Sequence, residues 1–530
     1  VQEYLPLLLV LLTALAVVHL ISTRVSTPAP ILLAIGGAAI ALIPGLPHLR
    51  LDPDLILVLF LPPLLYADAF NTSWIDFRRW LRPIVMLAVG LVAVTTFAVG
   101  VVTHALLPQI PWPVCFILGA IVSPTDTVAA QAVIERLRIP RRITAILGGE
   151  SLVNDATGLV GVQVGVAVAL SGAFVAGDVA FDFLRVAGGG VAVGAAGGLA
   201  FALVNRVVRE PRVLFVISLI SPYLAYVAAH TLGTSGVLAV VIAGFVVAWR
   251  IHQVPAAARV ELYSIWGVLV FVLEGLCFVI IGLETPYLLS ESGSSQGNIL
   301  VAGLWISATV IVSRILWCIP NSYVPLFLFP GLRRREGGYP PFRSVLLVSW
   351  CGVRGVVSLA AALALPHTLE DGSPFPGRQE VITCTLIVIL VTLIAQGLTL
   401  QPLIRLLGLR SDDDSASELC SARQRVLEAG IARLDAYCSE TSCPISVHHW
   451  RTLMADELVT LRDEDDETRL QAESRMAVSR EVRREVQRAQ ENALLALRDT
   501  GRINDRSYMK LQLELDRASG DGSGPHTELG

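Results

Sequence analysis

Residues 121–131 read IVSPTDTVAAQ and residues 348–360 read VSWCGVRGVVSLA. Each is a polar interruption, marked by Pro or Gly, in the middle of a long apolar run. There a continuous helix gives way, and the freed backbone N–H and C=O groups would face lipid unpaired. Such breaks persist in a membrane only where they are buried in protein or line a cavity. Two of them in one chain point to a membrane protein built around an internal site.

The rest of the chain agrees. Of 530 residues 54% are hydrophobic and 16% charged, with a mean hydropathy of +0.65, far from the composition of a soluble enzyme. Apolar runs long enough to cross a bilayer as helices recur thirteen times, at 5–22, 28–44, 53–70, 84–106, 112–137, 144–170, 185–205, 212–230, 234–249, 265–285, 298–320, 343–366 and 380–406. The fold class is an all-α polytopic membrane protein. The first run has no basic segment or cleavage site before it and reads as a retained helix.

Arginines set the orientation, because basic loops stay on the cytoplasmic side. Arg78, Arg79 and Arg82 follow the third span, Arg136, Arg138, Arg141 and Arg142 the fifth, Arg206, Arg209 and Arg212 the seventh, and Arg333, Arg334 and Arg335 the eleventh. The N-terminus is expected outside and the C-terminus inside a cell membrane. The near-total use of Arg over Lys suggests a bacterial source. Spans one to six and eight to thirteen then read as two repeats of opposite orientation. The two interrupted spans, five and twelve, hold the same place in each and cross at mid-membrane, the arrangement that marks a transporter's binding site.

A charge at mid-span costs about 2.5–3.5 kcal/mol even on the lenient insertion scale, so each needs a reason. Asp126, Asp155, Glu274 and Arg354 sit near span midpoints. In span six, Ser151 and Asp155 lie one helical turn apart on one face, and Glu150 and Asn154 lie one turn apart on the neighbouring face. The first edge offers hard oxygens that suit a small monovalent cation, with Asp126 and the freed backbone around Thr125 completing the cage. The second gives Glu150 a counter-charge, for which Arg354 is the natural candidate in a structural ion pair. Glu274 and Arg314 stand open between structure and function. Asp68 lies near the cytoplasmic end of its span, where it is solvated or lines an entry funnel. Two carboxylates that share a cation will not both stay ionised once it leaves, since desolvation and repulsion favour a proton on one of them. Proton and cation then compete for one site. If only the loaded site can face both sides in turn, that competition is an exchange mechanism.

After residue 409 the chain becomes polar and charge-dense to its end. The transmembrane region is read as 1–409 and a cytoplasmic, mostly helical regulatory or interaction tail as 410–530, with an amphipathic helix in ESRMAVSREVRREVQRAQENALLALRDTG and a disordered end. Five of eight cysteines lie in spans; a disulfide framework is not expected. The tail segment CSETSCPISVHH places Cys438, Cys443 and His448 near one another as candidate metal ligands, at a spacing looser than in zinc fingers.

The motifs LPPLLYADAF, SPTDTVAA, GGESLVNDATGLV, GTSGVLAVVIAG, FVLEGLCFVIIGLETP and CGVRGVVSLAAALALP closely resemble the sodium/proton exchanger family of monovalent cation/proton antiporters, in the branch with bacterial NhaP-type proteins. The resemblance covers residues 5–406. It implies a thirteen-helix inverted repeat, usually a homodimer, with a core domain that moves against a dimerisation domain. It implies that Asp155 binds cation and proton with Asn154 beside it, that Asp126, Thr125 and Ser151 help cage the ion, and that Glu150 pairs with Arg354. An Asn-Asp pair implies electroneutral exchange of one proton for one cation. Sodium or lithium is the expected cargo, potassium the alternative; no cofactor, nucleic-acid partner or enzymatic activity is expected, and the tail is expected to bind a regulatory ligand or protein.

Rival classes fit less well. An intramembrane aspartyl protease needs Gly-x-Gly-Asp around one Asp, whereas Asp126 and Asp155 stand in PTDT and VND. A cation channel needs a pore-loop filter, and none is found. A transporter-like sensor would keep the motif and bind without turnover.

Overall fold

The computed structural model describes residues 4–25, 27–43, 53–126, 137, 139–171, 176–208, 210–291, 296–369, 372–409, 413–440, 445–462, 466–500, 502, 507–512 and 515. The chain forms two compact units, Val1–Ser411 and Asp412–Gly530.

The first unit is all helix: α1 (Tyr4–Arg24), α2 (Ala29–Ala41), α3 (Pro53–Asn71), α4 (Leu81–Leu106), α5 (Trp112–Val122), α6 (Arg141–Ser171), α7 (Ala176–Val207), α8 (Pro211–Thr231), α9 (Gly236–Arg250), α10 (Ala256–Glu291), α11 (Gln296–Leu328), α12 (Phe342–Trp350), α13 (Val356–Leu363) and α14 (Arg378–Leu407). Among the described residues, eight of these are long and apolar enough to cross a membrane and four more are shorter apolar helices. The short pair α12 and α13 makes up the interrupted twelfth span. Each apolar run read from the sequence has its helix, and α14 stops at Gly408, whose φ of 60° suits a residue without a side chain.

The breaks have local causes. α5 ends at Val122, just before Ser123 and Pro124; proline has no N–H to give and disfavours helix in the residue before it. The continuation of this span, 127–136, lies outside the described residues. α12 ends at Trp350, and α13 starts only after Gly355, which is extended (φ −129°, ψ −158°). A third irregularity is gentler: within α4, Met86–Leu91 winds as a π-helix, and the indole N–H of Trp317 donates to the Met86 carbonyl at 2.9 Å.

The packing pattern maps onto itself. α1 packs on α2 and α10, and α8 packs on α9 and α3; α2 packs on α10, and α9 on α3. α4 packs on α5 and α6, and α11 on α12 and α14; α5 packs on α6, and α13 on α14. Exchanging α1–α6 for α8–α14 reproduces the same pairs and leaves α7 outside, packed on α8 and α9. A chain that crosses at every span alternates direction, so spans seven places apart run oppositely and the repeat is inverted. Close approach comes from small residues: a side chain added at Gly37 or Gly282 would collide with the backbone of the facing helix in the α2–α10 pair.

The membrane unit holds two large apolar clusters. One gathers Val114, Ile117, Leu118, Phe278, Ile306 and Val388, the other Tyr66, Ile84, Leu147, Val240, Trp266 and Leu400. α6, α10 and α14 each contribute residues to both clusters.

The second unit holds α15 (Asp413–Glu440), α16 (Ile445–Leu461) and α17 (Asp466–Asp499), with α16 packed on both neighbours. Ion pairs join them: Arg451 with Asp435 at 2.6 Å, Arg462 with Glu428 at 2.7 Å, and Arg475 with Asp456.

Candidate functional site

The site forms where α6 meets the break after α5. Thr125 is the hub. Its carbonyl accepts from the Ser151 hydroxyl at 3.2 Å and from the Asn154 amide at 3.4 Å; its hydroxyl accepts from Asn154 Nδ2 at 2.7 Å and donates to Glu150 Oε1 at 3.1 Å. Three residues of one helix thus satisfy the backbone and side chain that the break at Pro124 leaves exposed. Ser151 spends its proton on this bond and keeps oxygen lone pairs to offer a cation.

The second break closes on the first. The Asp126 N–H donates to the Val353 carbonyl at 2.8 Å, and the Arg354 N–H to the Thr392 hydroxyl of α14 at 3.1 Å. The Asp126 carboxylate lies against Gly355 at the start of α13, where a Cβ would overlap it. Asp126 stands four residues beyond the end of α5 and Arg354 four beyond the end of α12, so the repeat sets an acid and a base at equivalent points of its two breaks.

Asp155 is buried one turn beyond Ser151, within electrostatic reach of Asp126, Asp68 and Arg354. Asp68 also acts on Asp126 from α3. It is half-buried and lies within electrostatic reach of the other two acids. Glu274 is half-buried on α10, and Cys277 lies within reach of both it and Asp126.

One expected pairing is wrong. Glu150 pairs with Arg314 of α11, not with Arg354. Both oxygens are engaged, Oε2 by Nη2 at 2.8 Å and Oε1 by Nη1, and Arg314 also donates to the Val348 carbonyl from Nε at 3.2 Å and Nη2 at 3.0 Å. Both side chains are 1% exposed. Arg314 reaches Glu150 because α11 packs on α12 and α14 beside α6, whereas Arg354 is held in the break by its backbone. Its guanidinium is fully buried, and no nitrogen of it has a hydrogen-bond partner among the described residues.

Sequence reasoning missed Thr392 and Gln396. They lie one turn apart on α14, and the Gln396 amide stands beside Gly352 and Arg314 with neither atom hydrogen-bonded among the described residues. The same one-turn spacing that drew attention to α6 was present in VTLIAQG.

Of the three expected tail metal ligands, Cys438 is disulfide-bonded, so its sulfur is no thiolate ligand. Cys443 lies outside the described residues, His448 is exposed, and among the described residues no three His, Cys, Asp or Glu could hold a metal ion.

Comparison with known proteins agrees with this architecture. Residues 8–406 match the family model described as sodium/hydrogen exchanger, transmembrane. A protein of Mycobacterium tuberculosis named as an uncharacterized sodium/proton exchanger is 32% identical over 96% of this chain and 94% of its own. The sodium, potassium, lithium and rubidium/proton antiporter of Bacillus pumilus is 32% identical over 83% of this chain and 67% of its own. The sodium proton antiporter MjNhaP1 of Methanocaldococcus jannaschii has the same fold, with a TM-score of 0.60 at 21% identity, covering 77% of this chain and all of that one.

Proposed function

This chain belongs to the sodium/hydrogen exchanger family and is a multi-pass cation/proton antiporter, and from that premise we propose that it exchanges sodium or lithium for protons at Asp155. The observation that carries this reading is the clamp of Glu150, Ser151 and Asn154 on Thr125, which sets Asp155 and Asp126 within electrostatic reach of each other.

A cation bound there takes oxygens from Asp155, Asp126 and Ser151, while Asn154 orients Thr125. When the cation leaves, the crowded carboxylates take up a proton instead. By the resemblance to the family, the Asn154-Asp155 pair implies electroneutral exchange, one proton for one cation. Alternating access follows from the inverted repeat, in which a mirrored rearrangement of the two halves exposes one site to either side. The chain works as a homodimer in the cell membrane, N-terminus outside and C-terminus inside, and the tail unit 412–530 is a regulatory module. Potassium is the second substrate to test, because the Bacillus pumilus relative is named for sodium, potassium, lithium and rubidium alike.

The test is dissipation of an imposed pH gradient in everted membrane vesicles by sodium, lithium or potassium. Loss of one charged ligand is worth ~1.5–3 kcal/mol, so Asp155→Ala lowers cation-driven proton movement about tenfold or more at sub-saturating cation. Unaltered exchange in that variant sinks the assignment of Asp155.

A further inference from the structure

At the arginine-rich end of the membrane unit, the starts of α4 and α6 and the loop after α11 converge. Arg82 donates to Glu336 from Nε at 2.5 Å and from Nη2 at 3.0 Å, and its third nitrogen goes to the Asn321 carbonyl at 3.2 Å. Arg142 reaches the same carboxylate only at 3.8 Å, makes no hydrogen bond among the described residues, and lies over the Trp80 ring at 4.2 Å. Arg79 lies against that ring too, at 5.3 Å, and both Arg79 and Arg82 act electrostatically on Arg142.

Two guanidinium groups therefore share the Glu336 carboxylate with a third, Arg79, close to Arg142, and Arg333, Arg334 and Arg335 stand exposed just before Glu336. The nearby Asp76 is already taken by Arg141 at 2.8 Å. A small cavity of about 40 Å³, lined by Arg82, Arg142, Asn321 and Ser344 and, for the larger part, by apolar side chains such as Leu87 and Ile146, lies beside the cluster. Large apolar side chains near these arginines in the chain are exposed: Trp74 and Ile75 are 46% and 78% exposed, and Phe327 and Phe329 are bare as well. Like charges packed this closely call for an anion. Exposed aromatic and aliphatic groups at the end of a spanning helix belong at the headgroup level.

We propose that this face binds the phosphodiester headgroup of an anionic phospholipid, the phosphate against Arg79 and Arg142 beside Trp80 and the acyl chains along Trp74 and Ile75. The headgroup ties α4, α6 and the α11–α12 loop together from outside the transport site. Glu336 competes with it for Arg142 and tunes its affinity.

The experiment is thermal melting of the purified full chain in detergent, with phosphatidylglycerol, phosphatidylcholine or inorganic phosphate added. Phosphatidylglycerol should raise the midpoint by several degrees, phosphatidylcholine and free phosphate should not, and Arg79→Gln with Arg142→Gln should remove the rise. Arg250→Gln with Arg259→Gln, at the α9–α10 turn, should keep it. Glu336→Gln frees the arginines and should lower the phosphatidylglycerol concentration needed for half the rise, a change of sign that a merely structural carboxylate does not produce. If the paired variant proves too unstable to purify, Glu336→Gln decides alone. An equal rise in the paired variant and wild type, no rise in wild type, a rise with inorganic phosphate alone, or an unchanged or raised half-point in Glu336→Gln overturns the proposal.

Discussion

Arg314 and Arg354 are both buried, and they meet that burial in different ways. Arg314 spreads its donors over a carboxylate and the Val348 carbonyl, while Arg354 has no hydrogen bond on any guanidinium nitrogen among the described residues. Breaking a buried ion pair by removing one partner costs about 3–5 kcal/mol, because the other charge is left behind. Arg314→Met is therefore expected to lower the melting midpoint of the purified protein sharply by stranding Glu150, whereas Arg354→Met should hold or raise it. A midpoint that falls as far for Arg354→Met as for Arg314→Met would contradict this. Sequence reading named all three charges and still joined Glu150 to the wrong one. Depth along a span is written in residue count; which of two arginines faces α6 depends on how α11 and α12 pack.

At the scale of the element, glycines separate tight helix contacts from idle positions. A methyl group at Gly355 would take the place of the Asp126 carboxylate. Gly355→Ala should leave a folded protein whose half-maximal cation concentration for exchange rises about tenfold or more, the loss of one charged ligand; an unchanged value would show that Asp126 is no ligand. On α6 the neighbours Gly148 and Gly149 differ. Nothing lies within 4 Å of a side chain added at Gly148, whereas at Gly149 it meets Ile84 Cδ1 at 2.5 Å. Gly148→Ala should stabilise the helix by up to ~1 kcal/mol, and Gly149→Ala should destabilise; thermal melting of the two variants checks the contrast. The breaks themselves were legible, because Pro124, Gly352 and Gly355 announce them in the chain. Thr392 and Gln396 were passed over because no charged residue stands near the middle of their span, although their spacing repeats that of Ser151 and Asp155.

Over the whole molecule, the two compact units predict that they can be separated. A chain ending at residue 411 should insert, melt within a few degrees of the full chain and still dissipate a pH gradient when sodium is added. Loss of insertion would make the tail part of the fold. The thirteen spans could be read from hydropathy because each is a run of apolar residues between arginine-bearing or polar turns. The duplicated packing could not, since α2 on α10 and α9 on α3 are contacts between helices far apart in sequence, made by glycines and small side chains that look alike everywhere in this chain. The π-helical stretch Met86–Leu91 bears on that concealment. A π turn is one residue too long for an α-helix, and its counterpart α11 winds as α-helix from Gln296 to Leu328. Any residue-by-residue comparison of the two halves slips out of register inside α4 unless a one-position gap is opened there. The kinship of the halves is thus easier to find by superposing shapes than by aligning letters.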